Sequence, residues 1–257
     1  MEISVAAIIS AAGSSSRMGG SKKEYLYLEE KSLTVLGATL YSFASCPRIG
    51  TIIITVPPGS EKDETAAREA IPAEYLCGQG RNLVLFVPGG PTRRVSVHNA
   101  LSELEPHKPT HVLIHDGARP WVTQELIERI IDASVKFGAA IPALPLTETP
   151  KEVGFFPEMA NHSDSPEAGF IKRHLKRAEL WGAQTPQGFK FPEILRAHEK
   201  AREREEREHF AYTDDAEVWG EFLGQVAVIR GDPANRKITY PEDLWADRRH
   251  GQKETTG

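Results

Sequence analysis

Residues 11–23 read Ala11-Ala12-Gly13-Ser14-Ser15-Ser16-Arg17-Met18-Gly19-Gly20-Ser21-Lys22-Lys23, a loop of small side chains that ends among cations. Small side chains let backbone N–H groups come close to phosphate oxygens, and Arg17 and Lys23 can neutralise charge that builds during phosphoryl transfer. The loop is not a Walker A motif, because no Gly-Lys-Ser/Thr follows Gly13 at the required spacing. It also lacks the second glycine of the dinucleotide fingerprint. By composition alone it reads equally well as a glycine and serine turn, so other motifs must decide.

A second segment, Gly89-Gly90-Pro91-Thr92-Arg93-Arg94-Val95-Ser96-Val97, follows an apolar run. Its glycines let the chain pass close to a flat base, with Ser96 capping a helix or bonding that base. A third, His115-Asp116-Gly117-Ala118-Arg119-Pro120, places a carboxylate and a guanidinium together. Arg119 can grip a phosphate bidentately, while Asp116 can orient a hydroxyl or assist a hydrated cation. The plain alternative is an Asp–Arg pair that stiffens a turn. His115 reads as a satisfied strand-end residue rather than a base. Farther on stand Arg177, Gln184-Thr185-Pro186-Gln187, Thr213-Asp214-Asp215 and Asn235-Arg236-Lys237-Ile238-Thr239, each of which alone fits a turn, a cap or a surface pair.

Positioning these residues requires a scaffold, and the apolar pattern supplies one. Runs rich in Val and Ile at 5–10, 51–56, 83–87, 111–114 and 139–144 read as strands, with stretches of helical period between them. Thr123 is a plausible N-cap, followed by Leu126, Ile130, Ala133 and Phe137 on one helical face that should pack on the sheet. Continuous apolar strands separated by helices predict an α/β fold with a mainly parallel, Rossmann-like sheet, whose ligands lie beyond the carboxyl ends of the strands. Prolines at 145, 150, 157 and 166 break the pattern over 145–173, which reads as an excursion or arm. The mixed charges of 193–208 suit a solvated helix, and 248–257 is a polar tail. The expectation is one domain over 1–247 that carries the arm.

With 257 residues, 40% hydrophobic and 26% charged, the chain falls in the globular range. A formal charge of -5 argues against a broad basic surface for nucleic acid, so phosphate-binding cations must be concentrated locally. Cys46 and Cys77 are too few for a disulfide framework, which fits a reducing cytoplasm. The apolar start, residues 1–10, lacks the basic leader of a signal peptide and reads as a buried strand. No apolar run approaches the roughly 20 residues that span a bilayer.

Taken together and in this order, the motifs resemble the methylerythritol phosphate cytidylyltransferase family along nearly the whole chain. The resemblance implies transfer of CMP from CTP to a polyol phosphate, with Mg²⁺ bound alongside CTP. Arg17 and Lys23 match the family's transition-state stabilisers, with Ala11, Ala12, Gly13, Gly90 and Ser96 around CTP. Asp116, Arg119, Thr185 and Lys237 match contacts to the polyol phosphate. Thr149 and Arg177 match residues that reach the site from a neighbouring subunit, which implies a homodimer. The resemblance does not say which protein groups bind the metal. The chain departs from the family pattern at several places: the first loop is one residue shorter between Arg17 and Lys23, and Lys22 replaces the usual proline. The following Glu24-Tyr25-Leu26 favours Lys23 over Lys22 as the catalytic lysine. Pro91 stands where an acidic residue is common, Gly117 replaces an alanine, and the arm reads Glu148-Thr149-Pro150-Lys151 in place of Asp-Thr-x-Lys. The alternatives are a ribitol phosphate cytidylyltransferase, a non-catalytic nucleotide-binding regulator and a purely structural α/β scaffold.

Overall fold

The structure, a computed structural model, describes residues 3–15, 18, 22–28, 32–59, 61–76, 81–155, 169–208 and 210–244. The five expected strands form within two residues of their expected bounds: β1 (Val5–Ser10), β2 (Ile49–Val56), β3 (Leu83–Pro88), β4 (His111–Asp116) and β5 (Ala139–Pro145). Helices α1 (Val35–Ala44), α2 (Glu61–Glu69), α3 (Arg93–Leu104) and α4 (Gln124–Phe137) follow β1, β2, β3 and β4 in turn. Then come β6 (Lys151–Phe155), β7 (Gly169–His174), β8 (Trp181–Ala183), β9 (Gln187–Lys190), α5 (Glu193–Glu208), α6 (Asp215–Phe222) and β10 (Ala227–Arg230).

The central sheet runs in the order β10-β5-β9-β4-β1-β2-β3, with β8 paired to β5. β1 pairs in parallel with both β2 and β4, β2 with β3, and β5 with β10. Burial on both faces explains the continuous apolar strands. Ala7 and Ile9 of β1, with Ile52 and Ile54 of β2, join the cluster under α1 and α4. Ala6, Ile8 and Ile53 point the other way, into the cluster under α3 and α5. That alternation is the period of two of a strand, and both sets are apolar because helices cover both sides.

Two strands that the sequence reading did not anticipate, β8 and β9, run antiparallel within this sheet. β9 inserts between β4 and β5, and its short run, Gln187-Gly188-Phe189-Lys190, carries no β-branched signal. Gly188 is there for close approach: a Cβ would lie 2.8 Å from Ile130 Cγ2 and 3.0 Å from Leu113 Cδ2. α4 therefore packs directly on the backbone of β9.

The Thr123 hydroxyl caps α4, accepting from the Leu126 N–H at 3.3 Å. Leu126, Ile130 and Ala133 are buried as expected, but Phe137 is 55% exposed. It shares the stripe's angle, yet it ends the helix one residue before Gly138, beyond the part that the sheet covers. α5 buries Ile194, Leu195, Ala197, His198 and Ala201, and most of its charged residues are exposed, with Glu205 turned inward to Arg94. The excursion holds an antiparallel hairpin, β6 with β7, separate from the main sheet; its connecting residues 156–168 lie outside the described ones. Val153, Phe170 and Ile171 of this hairpin are exposed. Among the described residues no helix is long and apolar enough to cross a membrane. Cys46 is a free, buried thiol just past α1; Cys77 and the tail 248–257 lie outside the described residues.

Candidate active site

The chain crosses from β1 to β2 on one side, and β4 lies on the other, so the carboxyl ends of these strands flank a topological switch point. Ser10, the last residue of β1, is in register with Thr55 on β2 and with Asp116 on β4. The loops that leave these ends wall a cleft of about 770 Å³, within the range of small-molecule sites. Its lining includes Ala12, Gly13, Lys22, Lys23, Gly90, Arg93, Ser96, Asp116 and Lys237. The structure thus gathers into one cavity residues from first loop, glycine segment, Asp-Gly-Ala-Arg segment and Asn-Arg-Lys segment. Arg17 lies outside the described residues.

The glycine wall is built to be tight. Thr92 caps α3, accepting from Val95 N–H at 3.2 Å, and Ser96 Oγ accepts from the Gly90 N–H at 3.0 Å and donates to the Thr92 carbonyl at 2.9 Å. Ser96 thus braces the loop, while still lining the cleft. A Cβ at Gly89 would run into the Ala12 side chain and lie 2.8 Å from Ser96 Oγ. Gly89→Ala is therefore expected to destabilise the fold by about 1–3 kcal/mol, an overpacking cost, read as a lower Tm. Gly50→Ala, where a Cβ would meet nothing within 4 Å, serves as the control with an unchanged Tm.

Asp116 is the electrostatic hub. One carboxylate oxygen lies 3.0 Å from Lys237 Nζ and 3.3 Å from Arg119 Nε, and the other lies 3.8 Å from Arg93 Nε. Burial pushes this carboxyl upward, but Lys237, Arg93 and Arg119 outweigh burial and hold it well below the usual carboxylate range. Its position is set from behind: the Asp116 N–H donates to Thr185 Oγ1 at 3.1 Å, and Thr185 Oγ1 pairs with His115 Nδ1 at 3.0 Å. Arg119 also donates to the Asn235 carbonyl at 2.8 Å. Arg119 and Thr185 therefore stand behind Asp116 and tie it to the Asn-Arg-Lys segment, rather than lining the cleft. The turn-stiffening role weighed for the Asp–Arg pair is real and coexists with a carboxylate at the cleft wall.

His115 is fully buried, its second ring nitrogen 3.2 Å from the Arg119 carbonyl, and burial pushes its pKa down to about 4. It is neutral at physiological pH and sealed from the cleft, as expected of a satisfied strand-end residue.

The tandem lysines differ. Lys23, at the end of the first loop, opens a short 3-10 turn, Lys23–Tyr25, and is only 9% exposed. Its ammonium donates to the Ile238 carbonyl at 2.8 Å, which fastens the first loop to the segment carrying Lys237. Lys22 instead donates to the Gly13 carbonyl. Ala11 lies in the core, with its N–H on Thr55 Oγ1 at 3.1 Å.

Arg177 and Thr149 are not brought to this cleft within one chain. Arg177 donates to the Thr147 carbonyl at 2.8 Å and lines a shallow recess with Pro145, Leu146 and Trp181; Thr149 is exposed.

Arg93 was quoted within a motif but given no role. It lines the cleft and makes a 2.7 Å ion pair with the buried Asp215, whose other oxygen lies 3.2 Å from His198 Nε2. A signal existed: a cation directly after an N-cap opposes the helix dipole and calls for a carboxylate to hold it. Asp215 supplies it at the start of α6, where Asp214 is the cap and accepts from the Glu217 N–H at 2.9 Å.

Comparisons with known proteins find relatives along nearly the whole chain. A family model described as IspD, 2-C-methyl-D-erythritol 4-phosphate cytidylyltransferase, matches residues 5–248. A 2-C-methyl-D-erythritol 4-phosphate cytidylyltransferase of Pelotomaculum thermopropionicum is 36% identical over 245 residues, covering 93% of this chain and 91% of the relative. A bifunctional enzyme IspD/IspF of a Bradyrhizobium strain is 40% identical over 245 residues; the match covers 93% of this chain but only 54% of that longer protein. Among solved structures, 4-diphosphocytidyl-2C-methyl-D-erythritol synthase from Anaerococcus prevotii superposes with a TM-score of 0.74 at 26% identity, covering 96% of each chain.

Proposed function

The chain belongs to the 2-C-methyl-D-erythritol 4-phosphate cytidylyltransferase family, and from that membership we propose how its cleft performs the reaction. The enzyme joins CMP from CTP to 2-C-methyl-D-erythritol 4-phosphate, releasing pyrophosphate, in isoprenoid biosynthesis. The observation that carries the mechanistic reading is the convergence of Lys22, Lys23, Arg93 and Lys237 on one cleft beside the small-residue loop.

A phosphate oxygen of the polyol substrate attacks the α-phosphorus of CTP. The new P–O bond forms as the bond to the β-phosphate bridging oxygen breaks, and the electron pair leaves with pyrophosphate. No protein nucleophile is required, so catalysis rests on alignment and on cations placed where charge develops. Lys237, held by Asp116, receives the attacking phosphate. By family resemblance Arg17 and Lys23 stabilise the charge that builds in the transition state, the N–H groups of the first loop hold the triphosphate, and Gly90 and Ser96 form the wall for cytosine.

Mg²⁺ bound with CTP supplies further neutralisation of the triphosphate. The donor set fits a metal carried mainly by phosphate oxygens and water: the cleft wall bears Glu24, Asp63 and Asp116 as single carboxylates. Among the described residues no group of three or more His, Cys, Asp or Glu side chains could form a cage.

The chain acts as a homodimer in this reading, with Thr149 and Arg177 completing the polyol site of the partner. The exposed apolar residues of the hairpin, Val153, Phe170 and Ile171, with Trp181 beside Arg177, support a twofold contact there.

The test is pyrophosphate release with CTP, Mg²⁺ and each polyol phosphate. Turnover is expected with methylerythritol phosphate and not with ribitol 5-phosphate, and CTP is expected to exceed UTP, ATP and GTP. A buried edge that bonds the 4-amino group rejects a base that leaves its polar groups unpaired. Preference for ribitol 5-phosphate, or equal turnover with UTP, would overturn the reading.

A further inference from the structure

Lys22 is a cleft cation whose charge is little answered by its neighbours. Its ammonium donates to the neutral Gly13 carbonyl, stands 3.9 Å from Glu24 Oε2 and lies 5.9 Å from the centroid of the Tyr25 ring. The same Glu24 oxygen accepts from Ser15 Oγ at 3.1 Å, so it is shared. Other cations of the cleft are engaged more closely: Lys237 lies 3.0 Å from Asp116, and Arg93 lies 2.7 Å from Asp215. An ammonium has three donors, and here one goes to a carbonyl. The side chain is only 15% exposed, and burial draws its pKa below the ordinary lysine value against the pull of Glu24 and Asp63. An anion in this part of the cleft would relieve that imbalance.

The backbone separates the two lysines. Lys22 is extended, with φ -71° and ψ 102°, and in extended chain successive side chains point to opposite sides. Lys23 accordingly reaches the Ile238 carbonyl, on the Lys237 side, whereas Lys22 reaches Gly13 in the first loop. In-line displacement places the leaving group across the α-phosphorus from the attacking phosphate, and so away from Asp116 and Lys237.

Resting on the cytidylyl-transfer reading, we propose that Lys22 is an additional binding residue for the β- and γ-phosphates of CTP, the part that leaves as pyrophosphate. Lys23 joins the two halves of the cleft, and Lys22 exchanges the Gly13 carbonyl for a phosphate oxygen when the nucleotide arrives.

The experiment is calorimetric binding of CTP and of CMP, each with Mg²⁺, to the wild-type chain, Lys22→Ala and Lys22→Arg, with pyrophosphate as product inhibitor in parallel. Lys22→Ala is expected to weaken CTP binding and pyrophosphate inhibition about 10- to 100-fold, as for loss of one charged hydrogen bond, and to leave CMP binding and the KM for the polyol phosphate unchanged. Lys22→Arg should restore most of the CTP affinity. Lys22→Met, which keeps the aliphatic stem, takes the place of alanine if that variant fails to fold. Unchanged CTP affinity, or equal weakening of CTP and CMP, would overturn the proposal and leave Lys22 as a brace of the first loop. A wild-type chain that does not bind CTP would overturn the cytidylyl-transfer reading as well.

Discussion

Replacing Asp116 with alanine is expected to lower kcat/KM about a thousandfold, at the upper end of the loss for a removed charge-stabilising donor. The side chain makes no covalent bond in the reaction; its effect comes through the cations it holds. Without it, Lys237, Arg119 and Arg93 lose their common anion. Lys237, 40% exposed, would swing into solvent, while Arg119 would keep the Asn235 carbonyl and Arg93 would keep Asp215 as its counter-charge. The cluster is only partly buried, so breaking it from one side costs less than the roughly 3–5 kcal/mol of a fully buried pair, and a lower Tm should accompany the kinetic loss. Asp116→Asn separates shape from charge: it keeps the volume and should keep most of the kinetic defect. The sign of the pH dependence follows from the depressed pKa. Asp116 contributes its full stabilisation above its unfolded-state pKa of about 4, and this is lost as pH falls through the lower folded-state value. The Asn variant should therefore lose less stability than wild type on acidification over that range, in denaturant titrations at stepped pH. Near-normal kcat/KM in Asp116→Ala would show that the hub is purely structural.

Mixing two inactive variants should regenerate activity. Lys237→Ala removes a cation from a chain's own cleft, whereas Arg177→Ala removes one assigned to the partner's cleft; each alone is expected to lower kcat about 100-fold or more. In a heterodimer of the two, one site carries both lesions and the other carries neither. Random exchange makes half of the dimers mixed, so activity should recover to about a quarter of wild type, a consequence of the shared twofold site. The placement of Arg177 motivates the test: it sits on the Thr147 carbonyl beside the exposed Trp181, apart from the cleft that holds Lys237. No recovery, with mixed dimers demonstrated by native mass spectrometry, would show that Arg177 serves its own chain or no site.

Most of the scaffold was legible in the sequence because its strands are buried on both faces. Five apolar runs and the Thr123 cap carry local signals that survive without tertiary context, and the strand-end rule then places the cleft. β8 and β9 were not legible. They are short, with residues such as Gly182, Gln187 and Gly188, and they exist because β4 and β5 leave a gap that antiparallel backbone can fill. Phe137 shows the limit of periodicity: angle on a helix is encoded locally, but where the covering sheet stops is not.

The site divides in the same way. Residue types at the first loop and at the Asp–Arg turn allowed phosphate chemistry and plain turns equally, and it was the order of all the motifs, resembling a known family, that pointed to phosphate transfer. Only the tertiary structure decided which charges meet. Asp116 draws Lys237 from more than a hundred residues away, Arg93 depends on Asp215, and two adjacent lysines part toward different loops. The physical reason is one of range. Backbone conformation and burial pattern are set by neighbours along the chain, whereas a buried charge is stable only beside the particular counter-charges that folding brings within a few ångströms.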